Sequence, residues 1–129
     1  VALAIAEAVR GIDPELALLG LAGSALVRAA ESVGLRAVRE AFLDRGYRAD
    51  GTLVPRGQPG ALIEQPELAA ERAVRLVREG AVTAVEGTRI AVHADSFCVH
   101  GDGRAAVPVL RAVRARLAEE GIAVAPFAR

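Results

Sequence analysis

The chain has no methionine and no lysine, and it has one cysteine and two histidines. Without Met, it is expected to begin inside a longer gene product. All 16 basic residues are Arg, which reads first as genome composition bias and second as a thermophile hint, since Arg-for-Lys replacement is no general thermophile signal. A single thiol, Cys98, excludes an internal disulfide and fits a reducing compartment, so a cytoplasmic setting is expected. No apolar run approaches the ~18 residues of a transmembrane span. There is no charge excess: 16 acidic residues balance the 16 basic ones. That argues against nucleic acid as a partner, which calls for a basic surplus. Val1 opens no signal-peptide pattern, and a chain that starts mid-protein carries no information on targeting.

What is present suits one folded domain over residues 1–129. The hydrophobic share is 53% and the charged share 25%, enough for a core and too apolar for disorder. The unusual stretch is Phe42 to Gly60, FLDRGYRADGTLVPRGQPG. Gly46, Gly51, Gly57, Gly60, Pro55 and Pro59 make it a loop. A loop of this length without periodicity is uncommon in a compact domain and is usually functional or disordered. Phe42, Tyr47, Leu53 and Val54 argue against disorder. The expected role is an ordered loop presenting polar groups from a rigid scaffold, with a purely structural crossover as the alternative.

Periodicity organises the rest. Val1 to Gly11 reads as a helix. Leu16 to Leu21 is an apolar run of the kind found in parallel strands covered on both faces. Ser24 suits the N-cap of a helix over Ala25 to Val33, closed by Gly34. Leu35 to Glu40 alternates with period two, as a strand does. Pro66 opens a helix through Glu79, with Ala70, Ala73, Val74 and Val77 as its buried stripe and Glu71 pairing with Arg75. Short strands are expected at Val82 to Val85 and Thr88 to Val92, then at Ser96 to His100. A helix over Arg104 to Glu120 places Val107, Leu110, Val113 and Leu117 inward. Ile122 to Ala125 reads as a final strand. This alternation predicts an α/β chain with a parallel sheet and right-handed crossovers. In such sheets function gathers beyond the carboxyl ends of the strands. Leu21 to Ser24, Ala41 to Gly60 and His100 to Gly103 all leave such ends and should share one rim.

Several residues of that rim carry chemistry. Asp44 suits a general base, a metal ligand or a partner for a cation; paired with Arg45, it would merely hold the loop. Arg56, between Pro55 and Gly57, presents a guanidinium that can grip a carboxylate or phosphate with two parallel hydrogen bonds. Tyr47, the only tyrosine, either donates to a developing oxyanion or packs under the loop. His100 suits a base, an acid or a metal ligand. Asp102 sits between two glycines at a strand-to-helix junction, where it either serves the site or caps the helix. Asp50 and Gly51 read as a turn, Glu86, His93 and Asp95 as solvated loop residues, and Cys98 as core. No Ser/His/Asp elbow, zinc spacing or P-loop appears, and two histidines do not make a His-rich metal site.

The runs GLAGS (Gly20 to Ser24), FLDRGYRADGTLVPRGQPGALI (Phe42 to Ile63) and CVHGDG (Cys98 to Gly103), in this order, resemble the LamB/YcsF family, the A subunit of bacterial 5-oxoprolinase. The resemblance covers nearly the whole chain and corresponds to the C-terminal half of the family sequence. The family's N-terminal half, with several His and Asp residues, has no counterpart here. The resemblance implies a partial (β/α) barrel of the seven-stranded glycoside hydrolase/deacetylase type; a full barrel takes roughly 250 residues. It also implies ATP-dependent opening of 5-oxo-L-proline to L-glutamate together with B and C subunits, ATP being a co-substrate and no metal ligand being assigned. Matched positions are Asp44, Arg45, Tyr47, Arg56, His100 and Asp102. Asp44, or a His of the missing half, would be the base, with His100 and Asp102 as supporting acid/base or orienting groups. Arg45 and Arg56 would grip phosphate or substrate carboxylate beside Tyr47. The alternatives are a non-catalytic lactam- or carbohydrate-binding barrel and a metal-dependent deacetylase-like hydrolase. A half barrel exposes a sheet edge and an apolar face, so order is expected only beside the missing half or in a homo-oligomer.

Overall fold

A computed structural model describes residues 1–127. Helix α1 (Ala2–Ile12) leads into strand β1 (Ala17–Leu21), helix α2 (Ala25–Ser32) and strand β2 (Arg36–Phe42). After the long loop come helix α3 (Pro66–Glu79), strands β3 (Ala81–Thr83), β4 (Arg89–Ala91) and β5 (Ser96–Cys98), and helix α4 (Ala106–Glu119). Local chemistry sets these bounds. The Ser24 hydroxyl accepts from the Val27 N–H at 3.3 Å, capping α2. Gly80 adopts φ 58° to end α3, a left-handed conformation that costs glycine little.

Strands β1, β2 and β5 form a parallel sheet in the order β1-β2-β5, and β3 and β4 form a separate antiparallel hairpin. The register pairs Leu21 with Glu40 and Phe42 with Cys98. Because all three strands run the same way, their carboxyl ends share one rim, as the alternation of elements predicted.

The helices cover the sheet in two groups. Ala6, Ala29, Ala30 and Leu35 form a small core under α1 and α2, with Leu18 and Ala37 packed against it. Gly20 lets α2 lie close on β1: a Cβ there would stand 3.3 Å from the Val27 side chain. The main core joins Ala41 and Leu43 to Ala73 and Leu76 of α3 and Val109, Val113 and Leu117 of α4.

Some expectations change. In α3 the buried row is Ala69, Ala70, Ala73 and Leu76, while Val77 is exposed. The helix is turned about one residue from the expected stripe because its contact is with α4. In α4, Val109, Val113 and Leu117, four apart, face α3, and Val107 and Leu110 are exposed. Arg75 donates to the Thr83 hydroxyl at 3.3 Å and forms no ion pair with Glu71 among the described residues. Leu19 of β1 is 41% exposed, so that strand is not covered on both faces. Residues 122–126 are irregular; among the described residues no strand pairs with them, and the expected final strand does not form.

Candidate active site

The rim is built by the loop after β2. Chain 43–48 runs on from β2 and is flanked on both sides by later parts of the same loop. Gly46 N–H donates to the Ala61 carbonyl at 3.0 Å, and the Gly46 carbonyl accepts from Val54 N–H at 2.9 Å. Gly46 must be glycine for space: a Cβ would lie 2.0 Å from the Gly60 oxygen. At the tip, Gly51 has φ 83°, and the Asp50 carboxylate accepts from the Thr52 N–H and hydroxyl at 2.9 and 2.6 Å. That is the turn these residue types predicted. The β3–β4 hairpin props the loop from below. Val85 N–H donates to the Tyr47 carbonyl at 2.9 Å, and Ala49 N–H to the Glu86 carboxylate at 3.0 Å. Glu86 is exposed, as expected of a solvated loop residue, and its carboxylate also tethers the long loop. Asp95 is also exposed, and it accepts from the Arg39 N–H at 2.9 Å.

On this scaffold Asp44 and His100 meet across 56 residues of sequence. The Asp44 carboxylate accepts the His100 backbone N–H at 2.6 Å, and both its oxygens lie 3.0 Å from Nδ1. The Asp44 and His100 side chains are 13% and 27% exposed. The Phe42 ring packs beside the imidazole, centroids 5.1 Å apart. A carboxylate on Nδ1 places the proton there and leaves the Nε2 lone pair as the acceptor. Nε2 has no hydrogen-bond partner among the described residues. This arrangement fits an oriented imidazole that takes a proton from, or returns one to, a group in front of it.

Asp44 and His100 line a pocket of about 160 Å³ with Arg56, Glu64, Asp102 and the apolar Leu62 and Ile63. Arg56 Nη1 stands 2.8 Å from Asp102 Oδ2. This bond holds the Asp102 carboxyl below the usual carboxylate range and raises the Arg56 guanidinium further. Asp102 does not cap α4, whose N-cap residue is Ala105 with no side-chain bond.

Arg45 and Tyr47 do not line this pocket. Arg45 is buried, donating from Nε to the Ala61 carbonyl at 3.1 Å and from Nη2 to the Val54 carbonyl at 2.7 Å. It staples the two arms of the loop in place of the expected grip on substrate, and it does so without Asp44. Tyr47 is 1% exposed, and its phenol oxygen accepts the Phe42 N–H at 2.8 Å. Burial pushes its pKa up. It packs under the loop, which leaves the oxyanion role without an approach from the pocket. Sequence reading passed over Arg72, whose guanidinium lies 5.7 Å over the Tyr47 ring and donates to the Arg45 carbonyl. Desolvation lowers its pKa. Its position on the buried flank of α3 is the one signal that marks it. Cys98 is half-buried, and burial pushes its thiol up to about 11, which suits packing and not nucleophilic attack. Among the described residues no cluster of three or more His, Cys, Asp or Glu side chains is placed to hold a metal ion.

A parallel α/β domain with an Asp–His pair at the carboxyl rim of its sheet is thus the class that fold and site define. The LamB/YcsF family matches residues 1–129, and the chain belongs to that family. It is 48% identical over 127 residues to the third 5-oxoprolinase A subunit of Pseudomonas syringae pv. tomato. It is 52% identical over 126 residues to the 5-oxoprolinase A subunit of Mycobacterium avium. Each alignment takes in 98% of this chain and 50% of the relative. The crystal structure of a lactam utilization protein from Thermus thermophilus superposes with a TM-score of 0.88 at 46% identity, over 98% of this chain and 50% of that one. The chain therefore spans about half the length of the relatives it matches.

Proposed function

We propose that these residues supply the reacting rim of the A subunit in a cytoplasmic, ATP-dependent 5-oxoprolinase, which opens 5-oxo-L-proline to L-glutamate with B and C subunits. The observation that carries this reading is the Asp44–His100 pair, both of whose members line a small pocket that also holds a guanidinium. A five-membered lactam is a resonance-stabilised amide and a poor electrophile. ATP, as co-substrate on the partner subunits, would supply the phosphoryl group that activates the lactam oxygen.

The chain's own groups do the rest. His100 Nε2 takes a proton from the water that adds to the ring carbonyl carbon. The C–N bond then breaks, the ring nitrogen leaves as an amine once it receives that proton, and the acyl phosphate left at the opened end is hydrolysed by a second water to the carboxylate of L-glutamate and inorganic phosphate. Asp44 is not the base in this scheme; it fixes the tautomer of His100 and steadies the imidazolium. Arg56 meets the substrate's carboxylate. Arg45, Tyr47 and Arg72 hold the loop that carries Asp44.

The sheet order leaves one edge of β1 and one of β5 unpaired among the described residues, and Leu16 and Leu19 are exposed nearby. In this reading the sheet is the C-terminal part of a seven-stranded β/α barrel, completed by further chain or by a second copy. Turnover of 5-oxo-L-proline, measured with and without the partner subunits, tests the reading. ATP-dependent release of glutamate is expected only from the complete assembly. Lactam binding without turnover in that assembly would overturn the catalytic role.

A further inference from the structure

Arg56 is the only permanent cation among the residues lining the Asp44–His100 pocket, and it shares that pocket with three carboxylates, Asp44, Glu64 and Asp102. Three anions around one guanidinium make the resting pocket net negative, the wrong sign for an anionic ligand. Arg56 is also engaged, through its 2.8 Å bond to Asp102. That bond joins the long loop to the turn before α4. Its two side chains are 53% and 65% exposed, so it contributes little to holding the fold, because exposed ion pairs are weak and exchange readily. No other side chain bonds to Asp102 among the described residues, and Asp102 does not cap the helix that follows. Asp44, by contrast, is committed to both the backbone and the ring of His100.

We infer that Asp102 is a built-in competitor for Arg56, displaced when an anionic substrate enters, so that it sets which ligands the pocket accepts. The inference rests on the lactam reading of the pocket. The carboxylate of 5-oxo-L-proline is the same chemical group as the Asp102 side chain, so the guanidinium exchanges like for like and can gain a second parallel hydrogen bond. The released Asp102 turns into solvent, where it is already largely placed. A lactam without the carboxylate has no anionic group to exchange for Asp102 and leaves the pair closed.

The test compares 5-oxo-L-proline with 2-pyrrolidinone, the same ring without the carboxylate, by calorimetric titration of the assembled enzyme. Asp102→Asn should tighten 5-oxo-L-proline by roughly two- to fivefold, the scale of an exposed ion pair, and leave 2-pyrrolidinone unchanged. Glu64→Gln removes the same charge from the same pocket without freeing Arg56 and should give less than half of that gain. In an Arg56→Ala background the gain from Asp102→Asn should vanish. Equal effects of Glu64→Gln and Asp102→Asn would reduce Asp102 to a general field effect and overturn the inference. Unchanged or weaker binding by Asp102→Asn would also overturn it, while turnover of 5-oxo-L-proline in that variant would leave the lactam site standing. If neither lactam binds the wild type, the site reading and the competitor fall together.

Discussion

Replacing Asp44 by Asn tests the core of the site at a single atom. The carboxylate accepts two donors of His100, the backbone N–H at 2.6 Å and Nδ1 at 3.0 Å. An asparagine carbonyl can keep the backbone bond. Its NH₂ group then faces Nδ1 and can bond only by donating, which drives the imidazole proton to Nε2. Nε2 thereby loses its lone pair and can no longer accept a proton from water. A positioned base contributes ~10²–10⁴ in rate, or about 3–5 kcal/mol of barrier. Turnover of 5-oxo-L-proline by Asp44→Asn, measured in the polypeptide carrying these residues and assembled with its partners, should fall by that factor with little change in KM. The bond to Nδ1 changes from charge-assisted to neutral, a difference of about 1 kcal/mol, so Tm should drop by a few degrees while the fold persists. Nitrogen-15 spectra of the imidazole should show the proton moving from Nδ1 to Nε2. Turnover within about threefold of wild type, with the tautomer shifted, would refute the assignment of His100 as base.

Three further outcomes follow from the loop and its surroundings. Gly46→Ala forces a methyl group to 2.0 Å from the Gly60 oxygen and must part the two arms of the loop; about 2–4 kcal/mol of stability should be lost, seen as a lower Tm together with lower turnover. Tyr47 has a raised folded-state pKa because of burial, so its contribution is intact below the unfolded value of about 10 and is lost as pH rises through the higher folded value. Tyr47→Phe should flatten the fall in stability above pH ~10 in alkaline denaturation, at the cost of leaving the Phe42 N–H without its acceptor. Cys98, with its thiol pushed up to about 11, should react with iodoacetamide at pH 7.5 at least about two orders of magnitude more slowly than an ordinary thiol of pKa ~8.5. Its rate should climb roughly tenfold per pH unit toward pH 10, and a plateau near pH 8 would contradict the burial argument.

The parallel strands and the shared rim were legible because period two in Leu35 to Glu40, the apolar run at Leu16 to Leu21 and the glycine-closed helices are local signals. The loop announced itself by composition, and Asp44, Arg56, His100 and Asp102 were brought to one pocket by it. What composition does not encode is direction. Arg45 and Arg56 are the same residue type in the same loop, yet Arg45 faces two backbone carbonyls that lie nine and sixteen residues further on. Only the folded-back path of the loop turns one guanidinium inward and the other outward. The stripe of α4 was misplaced for a related reason. Apolar residues at 107, 109, 110, 113 and 117 allow two overlapping faces, and contact with α3 selects the row 109–113–117. The final strand failed because a strand is a property of a pair, and Ile122 to Ala125 has no partner strand among the described residues.

The bond between Asp44 and His100 ties together segments 56 positions apart, with α3 and the β3–β4 hairpin folded between them. Helices can form from neighbouring residues within microseconds, whereas this junction waits for the whole intervening stretch to settle. During refolding, helical circular dichroism should therefore recover ahead of the imidazole's bound environment. The same junction makes the rim a sensor of completeness: a chain trapped with β5 undocked would look largely helical and correct, and would do no chemistry.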